Sequence, residues 1–468
     1  MKVCMKRFIL ACAVLAVAAA GASTPVVTGT QVSQNESTLE VKVSYRLDMP
    51  AIVTVQFYTN AANGLDVAVP IPDAIVTNLS GDVNRLVGTA GEHMLVWRPS
   101  EVDFPGRSVG RPDFFAKVCA WNLKAPPPYM VCDLTTPSNI AYYASVEALP
   151  GGLLANDDYR TTKLVLKKVE ARRATWVRGS TAETGRVSTG QETAHQVTLT
   201  NDYYLGVFEF TQAQYVCIDS SASFFSFRGD KRPADGVSYR YLRDNYAVDG
   251  TTTYCYPASP APTAFLGRLA THTGLALDLP SESQWEYAAR GGYGDGLWGN
   301  GTRIVSNDVD ENLNSQARYK ANAYTSNGDG SVTTNGTAEV GSYEPNAYGF
   351  YDMAGNVSEW CLDWAQGSDY SSNISATNGK DVSGLAGTVN ADGNRVPAGP
   401  VTRAGSDQRN HSYAVGDFLI GQDRSTRGGS YADKASVLRP RARSMQHYSY
   451  ANGNSGYRTV GFRAALTL

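Results

Sequence analysis

The chain has 468 residues, 42% of them hydrophobic, enough to build folded cores and to exclude a disordered polymer. Its 45 Gly and 21 Pro follow no G-X-Y period, so collagen is excluded, and with 27 Tyr and only 18% charged residues they point to loops and strands over helical bundles. The charge balance of 41 Lys and Arg against 44 Asp and Glu leaves −3, with no basic stripe for tracking phosphates, which argues against a nucleic-acid partner.

The length suggests two or three domains. Residues 1–22 read as a signal peptide: Lys2, Lys6 and Arg7 precede an apolar run from Phe8 to Ala20, and Ala20-Gly21-Ala22 forms a small-residue cleavage site. Too few apolar residues precede Cys12 for a lipoprotein box, and the run is shorter than a membrane span. No other segment is apolar enough to cross a bilayer. The expected location is therefore periplasmic, cell-surface or extracellular.

Residues 23–123 alternate with period two. Leu39, Val41, Val43, Tyr45 and Leu47 interleave with Glu40, Lys42, Ser44 and Arg46, and further strand runs lie at 51–58, 93–97 and 114–121. Short strands parted by Gly and Pro turns predict an all-β, immunoglobulin-like sandwich. Its one histidine, His93, sits among strand residues and reads as a packed or exposed side chain. Residues 124–165, with Ala125-Pro-Pro-Pro128 and Pro150-Gly-Gly152, read as a linker packing partly on both neighbours, with a short strand over 141–146.

Residues 166–468 mix short helices with loops. Thr211-Gln-Ala-Gln214 and Ser281-Glu-Ser-Gln284 are capping boxes. Pro262 suits the first position of a helix that carries Phe265, Leu266, Leu269 and Ala270 on one face and stops at Gly274. Trp285, Ala288 and Ala289 share a face on the next helix, which ends at Gly291. A long loop follows over about 365–424, rich in Ser, Asn, Gly and Asp. Beyond the leader five cysteines remain. Local bridges Cys119–Cys132 and Cys217–Cys255 suit an oxidising compartment, and Cys361 among aromatics reads as a buried small hydrophobe.

Six ordered motifs in this region carry a resemblance. They are Ala174-Thr-Trp-Val-Arg-Gly-Ser180, Tyr203-Tyr-Leu-Gly-Val-Phe-Glu-Phe-Thr-Gln-Ala-Gln-Tyr215, Leu279-Pro-Ser-Glu-Ser-Gln-Trp-Glu-Tyr-Ala-Ala-Arg-Gly291, Asn346-Ala-Tyr-Gly-Phe-Tyr-Asp-Met-Ala-Gly-Asn-Val-Ser-Glu-Trp360, Arg427-Gly-Gly-Ser-Tyr431 and Val460-Gly-Phe-Arg463. Gly236-Val-Ser-Tyr239 stands where a V-S-W is expected. The region resembles the sulfatase-modifying-factor family, whose best-known members are formylglycine-generating enzymes. The resemblance implies an α+β, C-type-lectin-like fold with little regular secondary structure. In the enzymes, two cysteines just after R-G-G-S bind Cu(I), a soft ion suited by thiolates. Here those positions hold Asp433 and Leu438, and no Cys follows Cys361. The sequence therefore lacks the thiolate pair that copper requires there. A related branch uses a non-haem iron held by clustered histidines, whereas His93, His195, His272, His411 and His447 are far apart in this chain.

The resemblance also implies structural calcium at Asp352, Gly355, Val357 and Glu359, with the glycine and valine giving backbone oxygens, and a second site starting at Asn322 and Ala323 whose downstream half falls near Asp329. It places Arg427 and Ser430 along a ligand groove with Asp433. Arg439, Arg441 and Arg443, which follow the altered cysteine positions, suggest recognition of an acidic group. The function expected is an exported binding module for a secreted or cell-surface protein, peptide or glycan. The alternative is an enzyme of the family with altered, non-copper oxidative chemistry.

Overall fold

The computed structural model describes residues 24–60, 68–102, 104–106, 114–180, 183–185, 192, 194–243, 260–326, 332–364, 423–447 and 458–468. The expected leader, Cys255, Asp329, His411 and nearly all of the expected 365–424 loop lie outside the described residues.

The period-two segment folds as eight strands: β1 (Val27–Gln34), β2 (Val41–Leu47), β3 (Ala51–Asn60), β4 (Ala68–Pro70), β5 (Leu79–Gly81), β6 (Arg85–Val87), β7 (Gly91–Trp97) and β8 (Phe115–Trp121). One antiparallel sheet has the order β1-β2-β7-β5. The other has β4-β3-β6, with β8 also paired to β3. Successive side chains on a strand point to opposite faces. Val41, Val43, Tyr45 and Leu47 are accordingly buried while Lys42 and Arg46 face out. Between the sheets Trp97 stacks on Phe57 with ring centroids 4.9 Å apart, and each such side chain contributes roughly 1.5–3 kcal/mol by leaving water. Leu39 is not part of the strand. Its φ of 57° puts it in a turn, where its N–H donates to Asn35 O, and pairing starts at Val41. His93 is packed: one ring nitrogen meets Asp82 Oδ2 at 2.9 Å and the other Thr89 O at 3.0 Å.

Residues 124–165 do more than link. They supply β9 (Tyr129–Asp133) and β10 (Ile140–Tyr143), which join β11 (Lys163–Val169) in a five-stranded sheet. Next come β12 (Thr175–Arg178), β13 (His195–Thr198) and β14 (Tyr203–Gly206). The sheet runs β10-β9-β11-β14-β21, where β21 is Ala465–Thr467, so it ties the end of the chain to the segment after the sandwich. The sandwich docks on β10: Tyr142 N donates to Asn84 O at 2.8 Å, and Ser145 Oγ to Asp73 Oδ2 at 2.9 Å.

Among the described residues six short helices follow in order, α1 (Gln212–Ile218), α2 (Tyr239–Arg243), α3 (Phe265–Thr273), α4 (Glu282–Ala289), α5 (Lys320–Ala323) and α6 (Ala435–Leu438). Both capping boxes form as the sequence predicts, at Thr211 and Ser281, each worth about 1 kcal/mol. Pro262 lies outside α3, which is capped by Ala264. Gly267 sits so close to Ala261 O that a Cβ there would be 1.9 Å away, so the chain turns before it can coil. Gly274 ends α3 at φ 72°, the left-handed C-cap expected. The remaining strands are β15 (Tyr324–Ser326), β16 (Val332–Thr334), β17 (Ser358–Trp364), β18 (Asp423–Arg427), β19 (Ser444–His447) and β20 (Val460–Gly461). A sheet of order β19-β18-β17-β20 brings three sequence motifs together, with β17 carrying the end of the one that closes at Trp360, β18 the start of Arg427-Gly-Gly-Ser-Tyr431 and β20 the start of Val460-Gly-Phe-Arg463. The region is thus α+β, sheet-rich and short in its helices.

The bridge expected between Cys119 and Cys132 does not form, because Cys119 lies on β8 in the sandwich and Cys132 on β9; Cys132 is a fully buried free thiol whose pKa burial pushes up to about 12. Cys217 is also a free thiol, with its sulfur 3.9 Å from Thr161 O. Cys361 is buried, as read from its aromatic neighbours.

Candidate functional site

The site is assembled where α4, β17, β18 and the chain from Gly428 to Arg443 meet. The Ser281 cap starts α4 so that Glu282, Trp285 and Glu286 all turn inward. Arg427, at the end of β18, reaches across to this helix. Its Nε donates to Glu282 Oε1 at 2.8 Å, its Nη2 to Glu286 Oε2 at 3.0 Å, and its Nη1 to the carbonyls of Pro440 and Ala442. Arg443 and Arg178 also pair with Glu282. Burial alone would raise both carboxyls. The guanidiniums of Arg443, Arg178 and Arg427 outweigh it and hold Glu282 well below its usual range, while Arg290, Arg427 and Arg178 hold Glu286 at about 2.

A second buried network lies beside it. Arg439 donates to Glu183 Oε2 at 2.7 Å and to both Glu192 oxygens at 2.8 and 2.9 Å. Arg441 donates to Glu183 Oε1 at 2.8 Å and pairs with Asp295 at 2.9 Å. Gly185 is pressed on α6, where a Cβ would lie 2.8 Å from that of Ser436. The expectation that Arg427 lines a ligand groove and that Arg439, Arg441 and Arg443 face an acidic ligand is therefore corrected. The first three are at most 1% exposed, and all four are paired inside the protein. They clamp Glu183, Glu192 and α4 to the chain after β18.

Ser430 and Asp433 do come together, as a turn. Asp433 Oδ2 accepts from Ser430 N at 2.9 Å and from Ser430 Oγ at 2.7 Å, and Asp433 O accepts from Lys320 N. Leu438 is fully buried in an apolar cluster with Trp298, Ile304, Leu313, Ala317, Tyr319 and Ala435. It explains a neighbouring glycine: at Gly429, φ 64°, a Cβ would stand 2.8 Å from Leu438 Cδ1. The chemistry at the two positions where the resemblance would put cysteines is thus a carboxylate closing a turn and an alkyl side chain in a core. Neither makes a thiolate site for copper.

At the calcium positions the fit divides. Asp352, 2% exposed, accepts from Gly341 N through Oδ2 at 2.7 Å, and its buried Oδ1 has no hydrogen-bond partner, as a cation ligand would. Glu359 has both oxygens in use: Arg463 Nη2 donates to Oε1 at 2.8 Å, and Trp285 Nε1 to Oε2 at 2.8 Å. Gly355 turns at φ 79° with Arg318 O against its Cα, and Val357 N donates to Glu209 Oε1 at 3.0 Å. Asn322 uses its side-chain oxygen to accept from Tyr319 N, beside a buried Ala323. The set Asp352, Gly355, Val357 and Glu359 does not fit calcium as a unit, because the second carboxylate is occupied by Arg463. Among the described residues no group of three or more His, Cys, Asp or Glu converges as a metal site.

Glu209, fully buried, was missed in the sequence. It holds the Asn356–Val357 turn, and burial first, then the carboxylates of Asp352 and Glu359, raise its pKa well above the usual range against the pull of Arg463. Burial and Glu359 likewise lift Asp352 to about 6. The only signal was an acid inside the otherwise apolar Leu205-Gly-Val-Phe-Glu-Phe210. Glu183 and Glu192 gave none, lying in a Thr-, Ser- and Gly-rich stretch.

Among known proteins, the sulfatase-modifying factor enzyme 1-like domain matches residues 162–463. The chain is 30% identical over 190 residues to a chaperone protein LppX from Paenibacillus barcinonensis, covering 35% of this chain and 63% of the relative. It is 31% identical over 187 residues to a formylglycine-generating enzyme from Streptomyces coelicolor, covering 38% and 45%. It thus spans less than two thirds of these curated relatives. The solved structure of PvdO from Pseudomonas aeruginosa aligns over 65% of this chain and 95% of its own, at 18% identity and a TM-score of 0.41. With the family match spanning well over half of its length, the chain belongs to the sulfatase-modifying factor enzyme 1-like domain family.

Proposed function

We propose that this protein is an exported binding module that keeps the family's scaffold and has lost its copper oxidase activity. The carrying observation is Leu438: the position of the second copper cysteine is a fully buried alkyl side chain closed in by Trp298, Tyr319 and Gly429. The ligand is a peptide or glycan of a secreted or cell-surface partner. The kinship to a protein described as a chaperone supports a binding role. The arginines near Arg-Gly-Gly-Ser are internally paired, Asp433 is held by Ser430, and the exposed Lys434 is balanced by Asp308 at 3.3 Å, so the ligand is not selected by a strong negative charge.

The test has two arms. Incubation with copper, oxygen and a Cys-x-Pro-x-Arg peptide is expected to leave the cysteine unoxidised by mass spectrometry, and aldehyde formation would overturn the loss of activity. The same protein sample on peptide and glycan arrays is expected to retain a defined sequence or sugar class. Retention on neither array removes the binding reading.

A further inference from the structure

Asp352 and Trp298 line one cavity of about 20 Å³, together with Gln316, Glu344, Asn346 and Phe350. The volume corresponds to about one water molecule. Each of the two brings a buried polar atom with no hydrogen-bond partner in the protein, the acceptor Asp352 Oδ1 and the donor Trp298 Nε1. The side chains themselves are almost inaccessible, at 2% and 1%. A second polar wall residue already has its partners. Asn346 donates through Nδ2 to Ala288 O at 2.7 Å and accepts through Oδ1 from Tyr348 N and Phe350 N, both at 3.0 Å. Glu344 accepts from Ser315 Oγ at 2.9 Å.

Buried polar groups in folded proteins are almost always satisfied, by protein or by ordered water. We propose that an ordered water molecule occupies this cavity, accepting from Trp298 Nε1 and donating to Asp352 Oδ1. A donor and an acceptor carried by two side chains that line one small cavity match water, which needs two to four such partners. They do not match a metal ion, because the indole N–H presents a positive end. The assignment gives the second oxygen of Asp352 to water and takes away the one carboxylate atom still available to the calcium set. It does not depend on the proposed binding role.

The water has a positioning consequence. Asp352 stands at φ 57° at the start of the turn to Asn356. From that turn Gly355 N donates to Gly428 O, and Asn356 O accepts from Tyr431 N. Fixing both oxygens of Asp352 therefore fixes the floor under Arg427-Gly-Gly-Ser-Tyr431.

The deciding experiment is a crystal structure at about 1.8 Å or better from chelator-dialysed protein, with a second crystal soaked in calcium chloride. One water within hydrogen-bond reach of both Asp352 Oδ1 and Trp298 Nε1 is expected in each. A dry cavity overturns the proposal, and so does a calcium anomalous peak with oxygens at roughly 2.3–2.6 Å. In solution, adding calcium to the dialysed protein is expected to leave the melting temperature unchanged. A rise abolished by Asp352→Asn also overturns it.

Discussion

The two halves of the molecule solve the same burial problem with different chemistry. In the sandwich, the buried side chains of the described residues 24–121 are apolar except for Thr54, and its aromatic rings stack between two sheets. In the C-terminal region six arginines, Arg178, Arg243, Arg427, Arg439, Arg441 and Arg463, are among the largest fully buried side chains. A strand with a clean period of two presents one continuous apolar face. Helices of four to nine residues and loops cannot, so distant segments are joined by directional guanidinium–carboxylate pairs. Such pairs add little net stability over well-packed hydrophobics, yet removing one partner strands the other charge. The sandwich should therefore tolerate acid and salt, and the C-terminal region should fail at single residues.

The largest effect should come from Arg439→Ala, which leaves Glu183 and Glu192 buried without their shared partner. A loss of about 3–5 kcal/mol is expected in the C-terminal unfolding transition, with the sandwich transition unmoved. Chemical denaturation followed by tryptophan fluorescence and by hydrogen exchange on β2 and β3 would separate them. If both transitions moved together, the docking of Tyr142 on Asn84 would make the halves one cooperative unit.

Acid provides the next contrast. Glu286 is depressed from an ordinary carboxylate to about 2 and Glu282 is also depressed, so the unfolded chain binds more protons than the folded one between about pH 2 and 5. Their stabilisation is present above that window and is lost as pH falls through it, by roughly 3 kcal/mol for Glu286 alone. In the sandwich the raised carboxyl of Asp73, lifted chiefly by burial, has the opposite sign, and its share of stability declines as pH rises through its folded pKa. Asp352, lifted to about 6, and Glu209 share that sign in the C-terminal region, so melting curves between pH 3 and 7 should show this region weakening first only below about pH 4, where the depressed Glu282 and Glu286 dominate. A parallel decline of both halves would contradict the assignment of the buried pairs.

The smallest effect sharpens the comparison at one helix end. Ser281→Ala removes the side chain that accepts from Gln284 N, and about 1 kcal/mol should be lost from the C-terminal transition alone. A much larger loss would mean that the cap also sets the depth of Glu282 and Glu286 below Arg427.

How much of this was legible in the sequence varies with the range of the interaction. Strands β2, β3, β7 and β8 could be read because alternation is local, and so could the caps at Thr211 and Ser281. The Pro262 start and the Leu39 strand position were misread because a close backbone approach and a positive φ overrode local pattern. Arg439 and Arg441 looked like ligand contacts because their partner, Glu183, is more than 250 positions away.

Local order alone determined the sandwich strands, the helix caps, the family motifs and the absence of cysteine at positions 433 and 438. Tertiary structure decided the rest: that residues 124–165 belong to a sheet, that Glu359 answers Arg463, and that the arginines after Arg-Gly-Gly-Ser point inward. A charge carries no sign of its own burial. Whether it faces a ligand or a buried carboxylate is set by which distant segment is packed against it.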